Sequence, residues 1–307
     1  MKDNIESNKI EDIIEASNIE SKWTNIQMDS QILSTFMSCP RKMDYVFNRH
    51  LVSISGTSKA IQKGQLSHIG LHAYWKSRIE GADYQIASEV GVKKAREEAP
   101  KFNNLDAEGA LEVYKNLIEY FKYITSLTWI PLATEHHFKF IAYEDPVIRL
   151  RIILTGRIDL ILRSPSIQLL PVDNKSEAER WFYSGLSNQF KIYALACKSN
   201  LLGVQRFGFQ KTLEPKDKFK MELIPFDVDI LDEFRNEVLP YYAKQYLIMN
   251  EEGYYPPRYS SCINGHFACQ FSDKYNNGGI CSVSRSIRDQ KIDRFFTVGE
   301  PWDPADF

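Results

Sequence analysis

Apolar residues recur along this chain with two different periods, and the change between them divides it. From Ser30 onward the spacing is helical: Ile32, Leu33, Phe36 and Met37 share one face, and Ser30 and Ser34 both suit an N-cap. Pro40 breaks or restarts that helix, and Arg41, Lys42, Tyr45 and Phe47 follow. Thr57 to Ile79 predicts a second helix and Asp106 to Leu127 a third. From Glu135 the period shortens to two. Glu135–Tyr143, Val147–Leu154, Arg157–Leu162 and Ile167–Lys175 alternate as strands do. Gly185–Cys197 returns to helix, Gln205–Thr212 and Phe219–Phe226 to strand, and Val228–Met249 to a long helix. Past Gly253 the chain turns to Pro, Gly, Ser and Asn, and no regular element is predicted.

This pattern predicts an α/β protein with four parts: an acidic, disordered leader (1–28, with a short helix around Ile10 to Ile14), a helical lobe (29–130), a mixed α/β core (131–252) and a cysteine-bearing C-terminal segment (253–307) that packs on the N-terminal helices. No repeat or low-complexity linker interrupts it. The 307 residues are 43% hydrophobic and 25% charged, enough for a large core. No apolar run approaches the roughly 20 residues of a membrane span. The acidic start (Asp3, Glu6, Glu11, Asp12, Glu15, Glu20) resembles neither a signal nor a transit peptide, so a cytoplasmic protein is expected. A net charge of −2 disfavours a protein that coats nucleic acid indiscriminately, yet leaves room for a local basic groove. Five cysteines, an odd number, argue against a disulfide framework and open the possibility of metal binding.

Two predicted strands carry the chemistry. One reads Gly156-Arg157-Ile158-Asp159-Leu160-Ile161 and the other Leu170-Pro171-Val172-Asp173-Asn174-Lys175. Side chains two apart on a strand share a face, so Asp173 and Lys175 point the same way. A turn between the strands would bring Asp159 to Asp173. Hard oxygen ligands suit Mg²⁺ or Mn²⁺, and a lysine beside such a cation can orient or deprotonate water. On spacing alone, an exposed ion pair between strands is the commoner arrangement. His68 in Gly64-Gln65-Leu66-Ser67-His68 sits on a helix and is a possible further ligand, and Gln189 and Tyr193 share a helix face.

The ordered series Cys39-Pro40-Arg41-Lys42, Gly64 to His68, Glu135, Gly156-Arg157-Ile158-Asp159, Asp173-Asn174-Lys175-Ser176, then Gln189 and Tyr193, resembles the PD-(D/E)XK nucleases of the RecB-like branch, which includes CRISPR-associated and phage exonucleases. The resemblance implies a mixed-sheet, restriction-endonuclease-like core. It implies that His68, Asp159, Asp173 and the main-chain carbonyl of Asn174 bind Mg²⁺ or Mn²⁺. Lys175 would position the attacking water, Gln189 and Tyr193 would brace the site and meet the nucleic-acid backbone, and Arg41 and Lys42 would contact it too. Asn174 stands where an aromatic or aliphatic residue is common, and Ser176 where Thr is common.

Relatives with cysteines at both ends of the nuclease unit use them for an iron–sulfur cluster, which implies a 4Fe–4S site at Cys39, Cys262, Cys269 and Cys281. The spacing here is longer than usual, and the Asn276-Asn277-Gly278-Gly279 run could absorb the difference. Zinc or unmetallated thiols remain alternatives, while Cys197 falls at core spacing. The expected function is a DNA exonuclease working on ends or single strands in recombination or repair, with a helicase or recombination protein as partner, since no P-loop pattern occurs. A structure-specific or sequence-specific endonuclease and an inactive nucleic-acid- or partner-binding module are the alternatives.

Overall fold

The computed structural model describes residues 23–54, 56–124, 129–177, 185–210, 212–263, 269–272 and 279–301. The predicted helix at Ile10 to Ile14 and residues 276–278 lie outside them.

Strand β1 (Thr24–Met28) falls within the segment predicted to be a disordered leader. Ile26 and Met28 turn into the core while Asn25 and Gln27 face out, so five residues suffice for a half-buried strand. Asp29, rather than Ser30 or Ser34, caps α1 (Ser30–Ser38), its Oδ1 accepting the Gln31 and Ile32 amides at 2.7 Å each. Pro40 occupies the first position of α2 (Pro40–Met43), which runs into a π-turn at Asp44–Asn48 and then β2 (Leu51–Ser53). Three helices make the lobe: α3 (Lys59–Ile79), α4 (Tyr84–Glu98) and α5 (Ala107–Ile124). The periodicity does not predict α4, because it buries Ala87, Gly91, Val92 and Ala95 rather than large apolar residues. A Cβ on Gly91 would stand 2.8 Å from the Gly70 carbonyl oxygen, so glycine permits this close crossing of α3 and α4.

The core follows. β3 (Ile130–Asp145) and β4 (Leu150–Arg163) form a long hairpin, so the two short runs expected on either side of Gly156 are one strand. Then come β5 (Leu170–Glu177), α6 (Asn188–Cys197), β6 (Leu201–Gly208), α7 (Pro215–Lys218) and β7 (Met221–Pro225). α8 (Val228–Glu233) continues through a π-turn (Phe234–Val238) into α9 (Leu239–Glu252). The C-terminal segment supplies α10 (Ser260–Ile263), α11 (Arg285–Phe295) and β8 (Phe296–Val298), which pairs with β2.

The main sheet runs β1-β4-β5-β6-β7, with β3 on the other edge of β4. It is mixed: β1–β4 and β5–β6 are parallel, the rest antiparallel. Residues from α1, α6, α8 and α9 fill one core, and those from α3, α4 and α5 fill a second. The expected α/β nuclease architecture is therefore present. No described helix is long and apolar enough to cross a membrane.

Candidate active site

One edge of β4 is shared by two strands. β1 takes Leu150–Leu154 and β5 takes Leu160–Leu162, leaving Thr155–Asp159 between them without a strand partner on that side. Asp159 and Asp173 stand one step beyond the last β4–β5 pair, Leu160 with Val172, where the strands part into a fork. The unpaired backbone there is satisfied by side chains. Asp159 Oδ2 accepts the Asn174 amide at 2.7 Å, and the Tyr193 hydroxyl from α6 donates to the Arg157 carbonyl at 2.6 Å. Gly156 lets the Phe138 ring cross β4, since a Cβ would lie 2.7 Å from Phe138 Cζ, and that ring meets Tyr193 edge-on.

His68, Glu135 and Asp159 converge, each offering a ligand atom within 4.8 Å of the others. His68 Nδ1 lies 3.6 Å from Asp159 Oδ2, and Arg157 Nε lies 2.6 Å from Glu135 Oε2. Glu135 has φ +49°, a left-handed conformation costly for a residue with a Cβ and typical of functional sites. Burial, with the Asp159 charge adding to it, raises its carboxyl to about 7 against the pull of Arg157 and His68. An imidazole and two carboxylates, largely shielded from water, fit a divalent cation such as Mg²⁺ or Mn²⁺.

Asp173 and Lys175 share a face as expected. Asp173 is 1% exposed; its Oδ2 lies 2.8 Å from Lys175 Nζ and its Oδ1 accepts from Gln189 Nε2 at 2.9 Å. Burial raises the Asp173 carboxyl, and Lys175 opposes that rise. Gln189 closes the chain by accepting from Lys175 Nζ at 3.0 Å and bonding the Tyr193 hydroxyl at 3.0 Å. Burial and the nearby carboxylates keep the Tyr193 phenol protonated.

Residues 30–272 match the PD-(D/E)XK nuclease superfamily. The chain belongs to that superfamily. No curated protein matches it in sequence. A solved structure described as "Crystal structure of SSO0001" aligns over 80% of this chain and 86% of its own at 13% identity, with a TM-score of 0.33, too slight a likeness to support any reading.

The fork brings Asp159, Asp173, Lys175, Gln189 and Tyr193 together through hydrogen bonds and an ion pair, and His68 and Glu135 converge on Asp159. The sequence reading gave Glu135 no role. Its signal lies in the backbone angle and in facing Asp159 across the hairpin, neither of which periodicity carries. Arg41 lies elsewhere. It is buried, its Nε donates to the Tyr255 carbonyl at 3.2 Å, and its charge acts on the Cys281 thiol. A guanidinium so placed braces the C-terminal segment; Lys42 is half-buried on the same helix.

No disulfide forms among the five cysteines. Arg258 links two of them, its amide donating to Cys39 Sγ at 3.5 Å and its carbonyl lying 4.0 Å from Cys262 Sγ. Cys269 and Cys281 pack in one apolar cluster with Tyr45, Phe271 and Phe296. Burial pushes the Cys281 thiol up to about 12, with Cys269, Cys262 and Cys39 adding to the rise and Arg41 opposing it. Cys197, on α6, packs against the main core as its spacing predicts.

Proposed function

We propose that this protein is a metal-dependent deoxyribonuclease that hydrolyses phosphodiester bonds as an exonuclease on DNA ends or single strands, in recombination or repair. The observation that supports the reading is the fork, where Asp159 on β4 and Asp173 and Lys175 on the neighbouring β5 stand where the two strands part. His68, Glu135 and Asp159 would hold Mg²⁺ or Mn²⁺, with Asp173 and the Asn174 carbonyl beside them. Such a cation supplies charge neutralisation for the phosphate and acidification of a nearby water. Lys175, held on Asp173 and Gln189, orients the attacking water. Gln189 and Tyr193 keep Asp173 and the Arg157 carbonyl in place, so the site needs no rearrangement to act. The preference for ends and single strands is part of this proposal: with Asp173 and Asp159 side chains 2% and 13% exposed, the substrate backbone would have to be brought down to them.

The test is digestion of end-labelled linear DNA and covalently closed circular DNA with Mg²⁺, Mn²⁺ or EDTA. Degradation of linear DNA alone, abolished by EDTA, is expected. Cutting of the circle indicates an endonuclease, and binding without cleavage an inactive module. A helicase or recombination protein is the expected partner.

Cys39, Cys262, Cys269 and Cys281 would hold a 4Fe–4S cluster; the support is that none forms a disulfide and that Arg258 contacts both Cys39 and Cys262. Protein purified without oxygen should be brown and carry iron and sulfide. Zinc would keep the geometry and change the metal.

A further inference from the structure

A second histidine on α3 reaches the same fork through a neighbouring hydroxyl. His72 lies four residues from His68, so the two share one helix face. His72 Nδ1 stands 3.1 Å from Thr134 Oγ1, and Thr134 Oγ1 stands 3.0 Å from the Asp159 carbonyl oxygen. That carbonyl can only accept, so the single Thr134 proton goes to it. His72 must then donate from Nδ1, which fixes its neutral tautomer with hydrogen on Nδ1.

The register explains why a hydroxyl is needed. The β3–β4 ladder pairs Thr134 with Leu160 and His136 with Ile158, but skips Glu135 and Asp159 between them. Glu135 has turned into its left-handed conformation, which aims its carboxylate at His68 and Asp159 and breaks the regular rung. Thr134, the residue before it, replaces the rung with its side chain.

We propose that His72 and Thr134 form a positioning relay that ties α3 to the main chain of Asp159 and thereby sets the geometry of the His68–Glu135–Asp159 cation site. One helix face then grips Asp159 twice, His68 at its carboxylate and His72, through Thr134, at its carbonyl. Neither relay residue touches the cation or the substrate; they act on the groups that do. This inference rests on the proposed nuclease site.

The experiment is Mn²⁺ binding by calorimetry to DNA-free protein, with thermal melts alongside. His72→Leu and Thr134→Val should each weaken Mn²⁺ about tenfold, the scale of losing a partner behind a ligand, and the double variant should be no weaker than the worse single one. His72→Asn, whose amide nitrogen sits where Nδ1 does, and Thr134→Ser should restore binding to within about twofold. Folded variants with unchanged Mn²⁺ affinity overturn the relay, as do losses that add in the double variant or persist in His72→Asn and Thr134→Ser. Wild-type protein that binds no Mn²⁺ overturns the cation site, and the relay with it.

Discussion

The carboxylate fork and the cysteine junction are both clusters of ionisable ligands, yet they are built in opposite ways. At the fork the sheet does the positioning. Asp159, Asp173 and Lys175 sit on adjacent strands, and Gln189 and Tyr193 arrive from the helix that links β5 to β6. At the junction the chain must close on itself: Arg41 meets Tyr255, 214 residues away, and Ser261 Oγ donates to the Ser38 carbonyl at 2.6 Å. Proton competition differs as well. Glu135 at about 7 is poised to lose its proton near neutrality, whereas Cys281 at about 12 keeps its own. The fork owes its geometry to neighbouring strands, while the junction depends on contacts between distant segments of the chain.

The largest effect that would break this contrast is catalytic. Asp173→Asn or Lys175→Ala should lower DNA cleavage by about 1000-fold, several kcal/mol of transition-state stabilisation, with an unchanged circular dichroism spectrum. Near-wild-type rates from either folded variant would remove the fork from the chemistry.

At the junction the same kind of change should act on stability instead. With the proposed cluster bound, Cys39→Ser or Cys262→Ser should cost about 3 kcal/mol, roughly 6–10 °C in Tm, because the long loop between them would lose its closure through the metal. Mn²⁺ affinity at the fork should not change. Equal Tm values for variant and wild type would show that the junction holds without its thiols.

The pH dependence sharpens the comparison further. Glu135 holds its proton more tightly folded than unfolded, since its carboxyl is raised from 4.5 to about 7. Its contribution to the stability of the metal-free protein is full below pH 4.5 and is lost as pH rises through 7. Mn²⁺ affinity should therefore climb about tenfold per unit below pH 7 and level off above it. Glu135→Gln should flatten that slope; a flat profile in the wild type would detach Glu135 from the cation.

Much of this was legible in the chain. Asp159, Asp173, Lys175, Gln189 and Tyr193 were visible because strand and helix periods place them without reference to the rest of the fold. Glu135 was harder, since its role depends on a backbone reversal that no local pattern encodes. β1 and α4 were hidden for another reason: one is five residues long, and the other packs through Ala and Gly. Arg41 is a different case. A basic residue beside lysine reads as a phosphate contact, and only the long-range return of Tyr255 and Cys281 shows it to be interior.

The smallest predicted effect concerns Asn174, whose departure from the apolar residue common in similar chains was noted above. Its amide lies on the face away from Asp173, buried, with an Oδ1 that has no hydrogen-bond partner among the described residues. Asn174→Val should leave the backbone amide on Asp159 and the cleavage rate intact, while stabilising the fold by about 1 kcal/mol in urea melts. A loss of stability would mean that the amide serves the strand.

Asp29 deserves a last consequence. Its carboxylate starts α1 and in doing so stops β1 at Met28, which pairs with Leu154. Two more residues of strand would lay backbone along Thr155 and Gly156 and crowd the opening that admits Asp159. The stretch of β4 left open beside Asp159 is thus bounded by a helix cap, so a change that frays α1 would let β1 lengthen along it without touching Asp159, Asp173 or Lys175.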